Sequence, residues 1–303
     1  MKEKRRLRIS GRTRRNWLFG YLFLSPWLAG VLALVVYPLV NSFNFTLFTV
    51  RLTPAGIMLI PVGLKNYHDL FVLDTTFLQT LIGFMVRTIP ETAIIVSFSL
   101  IISLLLNQRI RARGFFRSVF FLPVIIATGP VMNELVRQGA ATVPIVNSAA
   151  IMEIVAFLPI WVAEPVVDIF SSLILILWNS GVQILIFLAG LQKVSPTLYE
   201  AAKIDGGSGW ECFWKITIPT IKPMILLNAI YTIIWLATSG QNPMINLVYN
   251  NMFSTNRGYG YASAQAWLYS LVILLLLGVC WLLLRTPKDR PAKMVKRLDK
   301  RNW

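Results

Sequence analysis

The chain has 303 residues, of which 56% are hydrophobic and 14% charged. A soluble globular domain carries roughly 25% charged residues, so this composition, with a mean hydropathy of +0.64, excludes a soluble fold and describes an integral membrane protein. A net charge of +16 would point to nucleic acid in a soluble chain, but no aromatic interleaving accompanies the basic residues, and their positions have another cause.

Residues 1–16 form a basic tail, with eight Lys and Arg against Glu3. A first span follows at about 17–40. It is longer than the roughly 7–15 apolar residues of a signal-peptide core and reads as a retained anchor. Residues 41–77 form an external loop with a short amphipathic piece. The second span, about 77–106, contains Arg87 and Glu91, which share a helix face and can pair. Arg109, Arg111, Arg113 and Arg117 make a basic turn before a third span at about 118–135. The apolar run 143–162 is interrupted by Pro144, Glu153 and Pro159 and followed by Glu164, so 136–168 reads as a large external loop. The remaining spans are expected at about 169–191, 221–238 and 264–284. Roughly 20 helical residues cross about 30 Å of hydrocarbon, and all six runs reach that length. The expected organisation is a tail (1–16), a transmembrane domain (17–284) and a second basic tail (285–303).

Charge sets the orientation. Lys and Arg of short loops prefer the cytoplasm. Six spans put both tails, the 107–117 turn and the 193–222 loop on one side, and these hold 24 of the 29 basic residues. The expected fold is therefore all-α, with six transmembrane helices and both termini cytoplasmic. The net charge fixes topology and meets anionic lipid headgroups.

The 193–222 loop contains the best-formed local signals in the chain. Ser195 can cap a helix with Pro196 at its first position. Gly206 suits the left-handed residue that ends many helices. Ser208 and Glu211 form a capping-box pattern for a second helix. Trp210, Phe213 and Trp214 lie on one face of it. Pro219 and Pro223 mark the entry to the fifth span, because proline suits helix starts.

Catalytic signals are lacking. Cys212 and Cys280 have no zinc-site spacing, His68 is the single histidine, and no GxxxxGK[ST] occurs. No cofactor is expected in this chain, and ATP-driven work would fall to a separate subunit. The fifth span does carry a polar and aromatic stripe, Asn228, Tyr231, Trp235, Thr238 and Asn242, extended by Ser239 and Gln241. The fourth carries Asn179 and Gln183. Such a stripe can line a path for a neutral polyhydroxylated solute, or can serve as interhelical glue. Both readings stand at this point.

The segment with Glu200-Ala201-Ala202, then Asp205-Gly206, then Ile216, Ile218 and Pro219 resembles the EAA loop of permease subunits of bacterial ABC importers. The runs RGFFRSVFFLPVI (113–125) and GYGYASAQAWLYS (258–270) also look like sugar-type permeases of that family. The resemblance implies a type I ABC importer permease fold in the bacterial cytoplasmic membrane. It implies a heterodimer with a second permease, two cytoplasmic ATPase subunits and an extracytoplasmic solute-binding protein. Glu200, Ala201, Ala202, Asp205 and Gly206 would form the coupling contact with the ATPase. Gly207 stands where alanine is more usual, which suggests a looser turn. Asn179, Gln183, Asn228, Tyr231, Trp235, Gln241 and Asn242 are the candidate substrate pathway. The alternative is an ion-coupled secondary transporter, for which Glu91 is the candidate mid-span carboxylate.

Overall fold

The computed structural model describes residues 11–53, 56–108, 180–254 and 256–285, with isolated positions between 109 and 179. The expected third span, the 136–168 loop and the first part of the fourth span fall outside the described residues, apart from those isolated positions. So do most of both tails.

The described chain is mostly helical. In order it contains α1 (Gly11–Val31), a π-helical turn (Leu32–Val36), α2 (Tyr37–Phe45), β1 (Phe48–Thr53), β2 (Gly56–Pro61), α3 (Lys65–Val72) and α4 (Thr75–Asn107). From residue 181 onward come α5 (Gly181–Leu191), α6 (Pro196–Ile204), α7 (Gly209–Cys212), a second π-helical turn (Phe213–Thr217), α8 (Ile218–Thr238), α9 (Pro243–Met252) and α10 (Gly258–Leu284). Among the described residues four helices are long and apolar enough to cross a membrane: Phe19–Phe45, Thr75–Asn107, Gly209–Met252 and Gly258–Leu284. The bent pair α5 and α6, at 62°, offers a fifth. The antiparallel pair β1–β2, with Arg51 opposite Met58, corrects the all-α expectation for the segment after the first span.

The two π-helical turns have a common cause. Each ends two residues before a proline, Pro38 or Pro219. A proline ring clashes with the carbonyl four residues back and cannot donate to it. That carbonyl belongs to Leu34 or Lys215, inside the widened turn. One extra residue per turn relieves the clash without ending the helix. The rod therefore runs on through Pro219 and Pro223, where the sequence suggested a helix start.

The chain divides into two compact units. The first comprises residues 1–75 and 247–268. Here Asn66 donates from Nδ2 to the Thr46 carbonyl at 2.8 Å and the Phe48 carbonyl at 3.2 Å, tying α3 to the base of the hairpin. A Cβ on Gly260 would stand 1.9 Å from the Phe48 carbonyl oxygen, so only glycine lets α10 start this close to β1. The second unit comprises residues 76–246 and 269–303. Its core is Phe187, Leu191, Val194 and Ile221, packed by Val96, Leu100 and Leu104 of α4. Gly190 faces Met224 side-on, with room for no larger residue, which brings α5 onto α8. In α4 the buried Ser99 donates from Oγ to the Ser180 carbonyl at 3.4 Å, just ahead of α5.

Candidate functional site

The elbow between α5 and α8 is built from local rules. Ser195 is extended (φ −64°, ψ 129°) and Pro196 opens α6. The Ser195 hydroxyl bonds Thr197 Oγ1 at 2.8 Å instead of a helix amide, so the helix begins where expected but without a side-chain cap. Its end is closed by two backbone bonds, Gly206 N–H to the Lys203 carbonyl at 3.1 Å and Gly207 N–H to the Ala202 carbonyl at 2.8 Å. This pairing is a Schellman motif, with Gly206 left-handed at φ 80°. Gly207 does not loosen the turn. A Cβ there would approach the Ala202 carbonyl oxygen to 2.8 Å, so glycine is what allows it to close.

The second half begins with the expected capping box. Glu211 N–H donates to Ser208 Oγ at 3.2 Å, and Ser208 N–H donates to Glu211 Oε2 at 3.0 Å. Those backbone and side-chain bonds, with Lys215 Nζ at 3.1 Å, hold the Glu211 carboxyl at about 2. Trp210, Phe213 and Trp214 touch one another, with ring centroids 5.1–6.1 Å apart.

The elbow is joined to the span. Tyr199 OH and Thr217 Oγ1 share a hydrogen bond of 2.9 Å. Cys212, Thr217, Ile221, Asn228 and Thr232 are all buried on one stripe. The step of five residues across the widened turn keeps that stripe in register. On the outer side Glu200, Ala201, Asp205 and Gly206 are exposed and Ala202 is half-buried. Leu198 is 48% exposed and Ile204 87% exposed, an apolar surface with no cover among the described residues.

The pathway candidates fall into three groups. Gln183 and Asn228 come together: Gln183 Nε2 donates to Thr232 Oγ1 at 3.0 Å, and Asn228 Nδ2 donates to the Gln183 carbonyl at 3.3 Å. Both are fully buried, and Asn228 Oδ1 has no hydrogen-bond partner among the described residues. Tyr231 is half-buried and Trp235 is 38% exposed; they lie on the Asn228 side of α8, three and seven residues further along it. Gln241 and Asn242 lie in the break between α8 and α9. There Asn242 Nδ2 reaches the Leu236 and Ala237 carbonyls at 3.1 Å and Tyr269 OH at 2.7 Å, and its Oδ1 accepts from Met244 N–H. Asn179 lies outside the described residues. The Arg87–Glu91 pair forms as expected, Nε to Oε1 2.7 Å, with Glu91 buried.

A polar cluster in the first unit joins two residues of the 258–270 run, Tyr261 and Gln265, to an ion pair that had no sequence signal. Asp74, 2% exposed, accepts from Arg257, from Tyr261 OH at 2.6 Å and from Gln265 Nε2 at 3.5 Å. Asn251 Nδ2 in turn donates to Gln265 Oε1 at 2.9 Å. Charges this far apart in sequence carry no local pattern.

No family model matches the chain. It is 27% identical over 288 residues to "Probable ABC transporter permease protein YesP" of Bacillus subtilis, covering 89% of this chain and 90% of that one. It is 30% identical over 234 residues to the lactose transport system permease protein LacF of Rhizobium radiobacter, covering 76% and 75%. Its fold matches a chain of a bacterial alginate ABC transporter solved in complex with an alginate pentasaccharide-bound periplasmic protein. There the TM-score is 0.55, the identity 17% and the coverage 90% of this chain and 95% of that one. With an exposed elbow joined to a spanning rod, and relatives matched over most of their length, the chain belongs to the permease proteins of ABC transporters, carbohydrate-uptake type.

Proposed function

We propose that this chain is one permease subunit of an ATP-driven importer for a sugar or oligosaccharide. A binding protein outside the membrane delivers the solute. A second permease completes the path, and two cytoplasmic ATPase subunits drive it through the 195–219 loop. The observation that carries the reading is the elbow itself: a rigidly closed turn, exposed on its Leu198, Glu200, Ala201 and Ile204 side, and bonded to the span through Tyr199 and Thr217. Force applied to α6 reaches α8 without crossing a flexible link. The fold likeness to an importer solved with its periplasmic protein, and the lactose permease among the relatives, support a saccharide cargo.

The full topology is six spans with both termini cytoplasmic. The 24 of 29 basic residues on one side support it. In this reading the sites are not enzymatic. Glu200, Ala201, Ala202, Asp205 and Gly206 meet the ATPase, and Asn179, Gln183, Asn228, Tyr231, Trp235, Gln241 and Asn242 flank the path. The amides bond hydroxyls, and the aromatic rings cover C–H faces. The ion-coupled alternative is not favoured, because its candidate carboxylate, Glu91, is held by Arg87. Co-purification from the native membrane tests the proposal. An ATPase and a solute-binding protein are expected with the chain. Solute uptake by the purified chain alone, driven by an ion gradient, would overturn it.

A further inference from the structure

Three long helices of the second unit leave a groove of about 420 Å³ between them. α4 contributes Ala93 and Val96, α8 Ile225 and Ala229, and α10 Val279 and Leu283. The lining is almost wholly apolar, and its rim is open: Val279 is 53% and Leu283 74% exposed. A path for a hydroxylated solute would not be lined this way. The groove lies toward the elbow end of the spans, since Leu283 sits in the last turn of α10 and Ile225 in the second turn of α8.

Two cations stand at that end. Lys222 precedes Ile225 by three residues and Ala229 by seven, so it continues the groove-facing stripe of α8. Arg285 directly follows Leu284 and lies over the Trp281 ring, 5.5 Å from its centroid. Apolar walls at bilayer depth, ending in positive charge at the interface, match an anionic amphiphile.

We propose that the groove holds an acyl chain of an anionic phospholipid from the elbow-side leaflet, with its headgroup drawn by Lys222 and Arg285. Such a lipid bridges α4, α8 and α10 beside the elbow. The inference rests on the membrane-spanning reading above, and assigns this leaflet as cytoplasmic only through the topology proposed there.

The test uses the intact complex equilibrated with vesicles of equal phosphatidylglycerol and phosphatidylethanolamine, then native mass spectrometry and a photoactivatable phosphatidylglycerol. Preferential retention of phosphatidylglycerol is expected, with cross-links to the groove helices. Lys222→Ala is expected to lower retention about fivefold, what one lysine near an anionic surface is worth, and Lys222→Arg to preserve it. Ala93→Trp, from an exposed position on the groove wall, is expected to abolish it. Equal retention of the two lipids, insensitivity to both Lys222→Ala and Ala93→Trp, or cross-links from the groove to another subunit would overturn the proposal. Continued co-purification of the ATPase in those outcomes would leave the transport reading intact, so the two failures are separable.

Discussion

Gly207 gives its backbone N–H to the Ala202 carbonyl at 2.8 Å, and a Cβ on residue 207 would stand 2.8 Å from the same oxygen. The bond that closes the elbow is therefore available only to glycine. Gly207→Ala is expected to break it, and Gly206→Ala to add about 1–2 kcal/mol of left-handed backbone strain. Both variants should lose hydrogen-exchange protection at residues 206 and 207, and complexes that carry them should move less solute for each ATP that the ATPase subunits hydrolyse. Unchanged protection in Gly207→Ala would show that the turn closes by another route.

Charge reversal at Glu200 tests the coupling surface. Glu200 is exposed and outside the packed core, so Glu200→Lys should insert and fold normally. Uptake by the reconstituted complex should fall at least tenfold, while membrane yield is unchanged. Normal uptake would count against coupling through α6.

Topology is best read at Ile204. Cys212 is the natural label by sequence, yet it is buried on the inner stripe. Ile204 is 87% exposed at the tip of α6. In a Cys212→Ser background, Ile204→Cys should react with an impermeant maleimide only from the cytoplasmic side. Reaction from outside would invert the proposed orientation.

The buried carboxylate of Asp74 should matter more than any surface pair. Removing one partner of a buried ion pair leaves the other uncompensated, at about 3–5 kcal/mol. Arg257→Ala, which leaves the buried Asp74 without its cation, should therefore lower the melting temperature of the detergent-solubilised chain by many degrees. Glu134→Ala, which breaks an exposed pair with Arg137, should change it little.

The capping box predicts a pH window. The Glu211 carboxyl is depressed from 4.5 to about 2 by the Ser208 backbone bond first and Lys215 second. A depressed acid contributes its full stabilisation above its ordinary value and loses it as pH falls through the lowered one. Protection factors of the Glu211 amide should therefore hold from neutral pH to about 4.5 and decline toward pH 2. A decline that is complete by pH 4 would show that the box does not form.

The elbow was legible in sequence because its signals are short-range: a proline at a first helical position, a serine three residues before a glutamate, a glycine after Asp205. The hairpin was not legible. The strand Gly56–Pro61 is apolar at nearly every position and exposed throughout, so it lacks the alternation that marks a half-buried strand. Asp74 and Arg257 are 183 residues apart, and only the fold brings them together. The polar residues of α8 were recognised as a set, but helical periodicity could not say that Asn228 meets Gln183 while Trp235, two turns along the same face, is left exposed. The prolines misled for a physical reason: a widened turn absorbs them, and composition does not distinguish that from a helix start.

That widened turn at Phe213–Thr217 has a mechanical meaning. One surplus residue in a coil offsets everything beyond Pro219 by roughly 100°, the angle each residue subtends about the axis. Pro219 locks that offset, because a tighter turn would return its ring to the Lys215 carbonyl. The side that Asn228 offers to Gln183 is thus set by a single residue two turns and more away, at the foot of the rod.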